Sequence, residues 1–216
     1  MDSEISYLWK SYCVILEMLS DRRFIVPEGY DLSLEQFIEW VGDVPSNARK
    51  EMTLTFEKEK ASLAGSSIAI FWKDSIGTME VREIVETLED LEITNAIVVY
   101  SSKVTPYAKS AIGALLGKNI ILEPFIEAEL QYNVTKHVDV PRHIICSAAK
   151  KAQIFKAYSV KKDQLPQIKA IDPQCRYLGA RRGQLIKIVR PSESIEGVMV
   201  DGERKKLWDI SFRIVV

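Results

Sequence analysis

The sequence predicts an α/β domain over residues 1–136 followed by a small α+β domain over residues 137–216. Three observations carry this prediction. Between about residues 52 and 122, short apolar runs alternate with amphipathic helical patterns, the order expected of strands that share a sheet with covering helices. After Val140-Pro141 the pattern changes to two capped helices and then to apolar strands that run to the end of the chain. The charge also reverses. Residues 1–135 hold 12 Lys+Arg against 22 Asp+Glu, and residues 136–216 hold 17 against 8, although the whole chain sums to only −1. A swing of that size indicates two units with different surroundings.

The first element is a helix. Ile5, Leu8, Trp9, Tyr12, Leu16 and Leu19 recur at three- and four-residue steps and give one apolar face, with Asp2 and Ser3 as N-cap candidates. A second helix starts at Ser33, where Gln36 completes a capping box, and stops at Gly42. Met52, Leu54 and Phe56 alternate as in a half-buried strand, and Ile68 to Trp72 form another. Val81, Ile84, Val85, Leu88 and Leu91 line one face of the clearest helix. Ala96 to Tyr100 is apolar on both faces, as in a central strand covered on two sides. Thr105-Pro106 reads as a cap followed by proline at the first helical position, with the helix ending at Gly117. Asn119–Leu122 and Leu130–Val134 supply further short strands.

In the second domain, Ser147 caps a helix through Ile154, Phe155 and Tyr158. Asp172-Pro173 opens another, closed by Gly179. Leu185–Val189 and Ile210–Val216 are strands. Between them Asp201-Gly202 is a hairpin-turn signal joining Val198–Val200 to Glu203–Leu207, an arrangement expected to extend the terminal sheet.

Composition and motifs exclude more than they assign. The longest uncharged run, Ala61 to Trp72, is far short of the ~18–20 apolar residues that span a bilayer. The N-terminus lacks an apolar signal region, and three widely spaced cysteines suit a reducing compartment, so an intracellular protein without membrane contact is expected. Gly113 to Asn119 has a three-residue spacer, and Asn119 stands where a phosphate loop needs Ser or Thr, so it reads as an ordinary helix end. His143-x-x-Cys146 is at most half a zinc site, with His137 and Cys175 as the distant remainder. The carboxylate-x-Lys pair of metal-dependent nucleases occurs once, at Glu203-Arg204-Lys205, far from the Ala96–Tyr100 strand. No catalytic residue, metal ligand or cofactor site emerges.

Several blocks in the last 80 or so residues carry a resemblance. These are Thr135 to Ile144 (TKHVDVPRHI), Gln164 to Ile168 (QLPQI), Asp172-Pro173, Arg176-Tyr177-Leu178-Gly179 and Arg182 to Glu193 (RGQLIKIVRPSE). Together they resemble the shared fifth subunit of eukaryotic RNA polymerases I, II and III, whose C-terminal domain is similar to a small subunit of the archaeal polymerase. Weaker matches in the N-terminal part are Leu8-Trp9, Asp21-Arg22, Ile97 to Tyr100, and Thr105-Pro106 with Ala108-Lys109. The sequence departs from the family pattern at Tyr107, where many members have a small residue. It departs again at about Glu196 to Leu207, where most pass almost directly into the last strand.

The resemblance implies a nuclear, non-catalytic structural subunit. Its N-terminal jaw domain would have an inactive restriction-endonuclease-like fold beside downstream duplex DNA. Its C-terminal assembly domain would dock on the largest polymerase subunit, with neighbouring small subunits as further partners. Lys103, Thr105, Pro106 and Lys109 are the DNA-proximal candidates, because a helix N-terminus with flanking lysines suits a phosphate. Arg181, Arg182, Lys187 and Arg190 are the subunit-interface candidates, flanking the best-matched strand. A stand-alone nuclease-like DNA-binding protein, or a viral or specialised-polymerase version of the same subunit, is the alternative. For the cations Arg204, Lys205 and Lys206 beside Trp208, stacking on a partner or a place near nucleic acid competes with charged protection of an exposed strand edge.

Overall fold

The computed structural model describes residues 4–42, 44–58, 67–191, 198–200, 203–205 and 208–216. The chain divides into two compact units, Met1–Asn133 and Val134–Val216. Among the described residues, no helix is long and apolar enough to cross a membrane.

The first unit is built on a four-stranded sheet, β1 (Thr53–Glu57), β2 (Ser67–Lys73), β3 (Asn95–Tyr100) and β4 (Ile121–Ile126), in that order. β1 is antiparallel to β2, while β2, β3 and β4 are parallel. The parallel pairs need crossovers, and α4 (Thr78–Asp90) and α5 (Pro106–Leu115) supply them. Both crossovers step in the same direction across the sheet, so a common handedness puts both helices on one face. There Val81, Ile84, Val85 and Leu88 of α4 and Ala108 and Leu115 of α5 pack on Phe71, Ala96, Val98 and Leu122. Side chains of opposite parity face the other layer, formed by α1 (Glu4–Asp21), α2 (Leu34–Val41) and α3 (Pro45–Glu51). Trp72, fully buried, lies 6.4 Å between ring centroids from Tyr12 of α1, whose ring also meets that of Phe37 of α2 in a tilted pair at 5.2 Å.

The second unit holds a sheet in the order β5–β7–β10–β6, from β5 (Arg142–Ile145), β6 (Gln167–Ile168), β7 (Leu185–Pro191) and β10 (Trp208–Val215). α6 (Ala148–Tyr158) covers part of one face, where Ile154 and Phe155 meet Leu185, Phe212 and Ile214. α7 (Pro173–Leu178) covers the other, where Cys175 meets Ile168, Ile186, Ile188 and Val215.

The local signals behind these elements are visible. Ser33 Oγ accepts from Gln36 N and Gln36 Oε1 accepts from Ser33 N, the complete capping box, and Gly42 closes α2 at φ 81°, which glycine adopts freely. Ser147 caps α6 through Lys150 N, and Asp172 caps α7 through Gln174 N.

Several expectations need correction. Leu130–Val134 is not a strand: Glu127–Leu130 and Val134–Lys136 are 3-10 turns, and Asn133 between them donates to Glu17 Oε2. The residue that ends the turn after α5 in a left-handed conformation is Asn119 (φ 61°), not Gly117, since asparagine tolerates that region. Leu91 stands at the C-cap of α4 and is 46% exposed, because the helix ends one residue earlier. β8 (Val198–Val200) and β9 (Glu203–Lys205) do pair antiparallel, but among the described residues they form a separate two-stranded ladder that does not extend the terminal sheet. The Asp201-Gly202 turn, the Asp2 and Ser3 caps, and Lys206-Leu207 lie outside the described residues. α3, β5 and β6 are elements that the pattern reading did not anticipate.

Candidate functional site

The DNA-proximal candidates gather where the loops after β2 and β3 meet. Ile76 and Val104 form an isolated bridge, flanked by Ile76 N to Lys103 O and Thr105 N to Ile76 O, both 2.9 Å. Asp74 O accepts from Ser101 Oγ and Ser102 Oγ and so fixes the same loop pair. Thr105 is thereby held at the N-cap of α5, where its Oγ1 accepts from Ala108 N at 3.2 Å and Pro106 occupies the first turn. Pro106, Lys103 and Lys109 are exposed, and Tyr107 is 80% exposed. The structure brings the four candidates together on one loop-and-helix surface. The hydroxyl of Thr105 is committed to capping, which leaves the lysines and Tyr107 as the side chains that project.

The subunit-interface candidates do not form one patch. Arg181 and Arg182 sit in the turn before β7, where Arg181 N donates to Gln184 Oε1 at 2.7 Å and Arg182 is exposed. Lys187 and Arg190 are three apart on β7, so the strand's alternation sends them to opposite faces. Arg190 stands opposite Asp209 on β10, and Lys187 opposite Phe212.

A cluster that sequence reasoning missed lies inside the first unit. Arg49 of α3 is 2% exposed. Its Nε and one terminal nitrogen hold Glu127 in a bidentate pair at 2.6 and 2.9 Å, and the other terminal nitrogen reaches Asp74 at 2.9 Å and Glu4 at 3.1 Å. Burial alone would favour the neutral guanidinium, but the Glu127 contact, followed by those to Glu4 and Asp74, outweighs it and holds the group more firmly protonated than usual. One side chain thus ties α1, the loop after β2 and the turn after β4 together. The four residues are too far apart in the chain for any spacing rule to find them.

The groups with nucleophilic or metal-binding potential are placed structurally. Cys146 packs on the α6 side of the terminal sheet and Cys175 on the α7 side, so the imagined zinc quartet is divided by the sheet. Burial pushes the Cys175 thiol up to about 11, with Asp172 adding to it. Burial likewise raises Cys13 to about 11, reinforced by Asp31 and Glu17. These are the opposite of activated thiols. His143 Nδ1 donates to the Pro141 carbonyl at 2.7 Å. Among the described residues, no group of three His, Cys, Asp or Glu side chains is placed to hold a metal ion.

The two units differ in net charge, acidic in the first and basic in the second, and each is built on its own sheet. The comparisons assign both to one family. The pattern of the RNA polymerase Rpb5 N-terminal domain matches residues 2–88, and that of the RNA polymerase Rpb5 C-terminal domain matches residues 132–200. The chain is similar to the DNA-directed RNA polymerases I, II, and III subunit RPABC1 of Caenorhabditis briggsae, 38% identical over 87% of this chain and 90% of the relative. The Caenorhabditis elegans protein of the same name matches at the same identity and coverage. The Dictyostelium discoideum protein is 34% identical over 88% of this chain and 93% of its own length. The chain belongs to the Rpb5 family of RNA polymerase subunits.

Proposed function

We propose that the chain is a structural subunit of a multisubunit DNA-directed RNA polymerase, acting in nuclear transcription without making or breaking bonds itself. The observation that carries this reading is that both compact units carry matches to domain patterns of one polymerase-subunit family, over residues 2–88 and 132–200. In this reading residues 1–136 are the jaw and residues 137–216 the assembly domain. The mixed sheet of the first unit, with one antiparallel edge strand and helices over both faces, supports a restriction-endonuclease-like architecture for the jaw. The surface of Lys103, Thr105, Pro106 and Lys109 would face downstream duplex DNA inside the assembled enzyme. The net charge of this half is strongly negative, so its contact with DNA depends on the other subunits to hold it there. Arg181, Arg182, Lys187 and Arg190 would serve docking on the largest subunit, with the split between sheet faces implying contact with more than one surface.

Charge reversal tests the docking. Arg182 and Arg190 are exposed, and an interfacial arginine paired with a carboxylate costs roughly 2–5 kcal/mol when lost, whereas a solvated one costs less than about 1 kcal/mol. Arg182→Glu with Arg190→Glu is expected to shift most of the tagged chain from the polymerase fraction to the free fraction in size-exclusion chromatography. Unchanged incorporation would remove these residues from the interface.

A further inference from the structure

The terminal sheet is longer than the helix that covers it. Residues opposite one another in a ladder share a face. The register therefore places Arg142 and Ile144 of β5, Leu185, Lys187, Val189 and Pro191 of β7, and Trp208, Ile210, Phe212 and Ile214 of β10 on one side. α6 buries only the end of that face at Leu185, Phe212 and Ile214. At the other end the alternation keeps its apolar side chains, and no helix among the described residues packs over them. Val189 is half-buried, Ile210 is 50% exposed and Trp208 57% exposed. These residues line an open groove of about 1020 Å³ together with the segment Val138 to Pro141.

The charges around the floor say what fits. On this face of the three strands there are two cations, Arg142 and Lys187, and no carboxylate. Arg190 and Asp209 also line the groove, but they are ladder partners on the opposite face, where their charges offset each other. Asp139 of the Val138 to Pro141 segment lies near His137, 3.7 Å away. An occupant must therefore bring apolar side chains to Val189, Ile210 and Trp208 and carboxylates to Arg142 and Lys187. The strip from Lys187 to Pro191 is about 13 Å long at roughly 3.3 Å per residue, the length of about five extended residues. A nucleic acid would place phosphates past Asp139 and leave the aliphatic floor unpaired.

We infer that this groove is a docking site for an extended acidic peptide segment with apolar anchors, supplied by another protein chain. The inference deepens the docking reading of Lys187 and rests on the second unit being a protein-binding module. The assay uses the free chain, so peptide binding and polymerase incorporation report separately. A failure of the first with incorporation intact counts against the groove alone.

The test is fluorescence anisotropy of labelled peptides of about twelve residues with the full chain. One peptide alternates glutamate with leucine and phenylalanine, a second carries lysine in place of glutamate, and a third is all glutamate. A short oligothymidylate is the nucleic-acid arm. The expected result is saturable binding of the first peptide only, weakened at least about tenfold by Trp208→Ala and by Arg142→Glu with Lys187→Glu, roughly 1.4 kcal/mol or more. Met79→Ala, at an exposed position of the other unit, should leave binding unchanged. Trp208 and Arg142 are exposed and Lys187 is half-buried, so each variant's melting is compared with the parent's and binding is read only from variants that melt as it does. Three results would overturn the inference: binding of the lysine peptide or the oligothymidylate as tightly as the first peptide, no effect of either variant, or no binding of the first peptide. So would concentration-dependent dimerisation in sedimentation velocity that Trp208→Ala abolishes, since it would assign the groove to a second copy of this chain.

Discussion

Arg49→Met is expected to destabilise the first unit by about 3–5 kcal/mol, the largest loss of any single polar substitution here. Removing one partner of a buried ion pair leaves the other charge desolvated and unpaired, and Glu127, 4% exposed, is that partner. Glu4 and Asp74 contribute less, because their side chains are 69% and 46% exposed and recover water when the guanidinium is gone. On the usual size scaling the melting temperature of this unit should fall on the order of 10 °C. Arg49→Met with Glu127→Leu should recover much of the loss, since a buried ion pair replaced by apolar groups of similar volume is often close to neutral. Differential scanning calorimetry of these two variants, of Glu127→Leu alone and of the parent completes the cycle. A drop of less than about 1 kcal/mol in the single mutant would mean that the cluster is solvated and that the three elements are held by packing alone.

The second large effect is a contrast within one sheet. Ile188→Ala should cost about 2–5 kcal/mol, because Ile188 is 1% exposed in the α7 core and the site cannot collapse around the missing atoms. Ile210→Ala, one ladder position away but on the uncovered face, should cost less than about 1 kcal/mol, since half of the side chain already faces water. Denaturant midpoints measured at unchanged slope separate the two. Equal costs would show that Ile210 is covered in the folded chain and that the groove is closed.

The contrast also explains how far the sequence could be read. Strands β2 and β3 were legible because burial on both faces leaves a continuous apolar run, and α4, α5 and α7 because their apolar spacing or cap-and-proline starts are local signals. α3 was not, since its N-cap is Val44 with no side-chain hydrogen bond and its sequence is mostly polar. β5 and β6 are short, and β6 exists only because Val215 and Ile214 offer it a parallel partner. Leu130–Val134 misled because alternation over so few residues does not distinguish a strand from two tight turns. The loop-and-helix surface at Lys103–Lys109 was readable from Thr105-Pro106 alone. The Arg49 cluster and the groove were not, for they depend on which distant segments the topology brings together and on where α6 stops along the sheet.

The central claim is that this chain is an integral part of a polymerase, and the most direct measurement is what co-purifies with a tagged copy from cells that express it. The account predicts two very large subunits, together with smaller ones, in fixed proportion to the tagged chain and retained through gel filtration. Recovery of the chain alone, or with partners of variable proportion and no very large subunits, would contradict it.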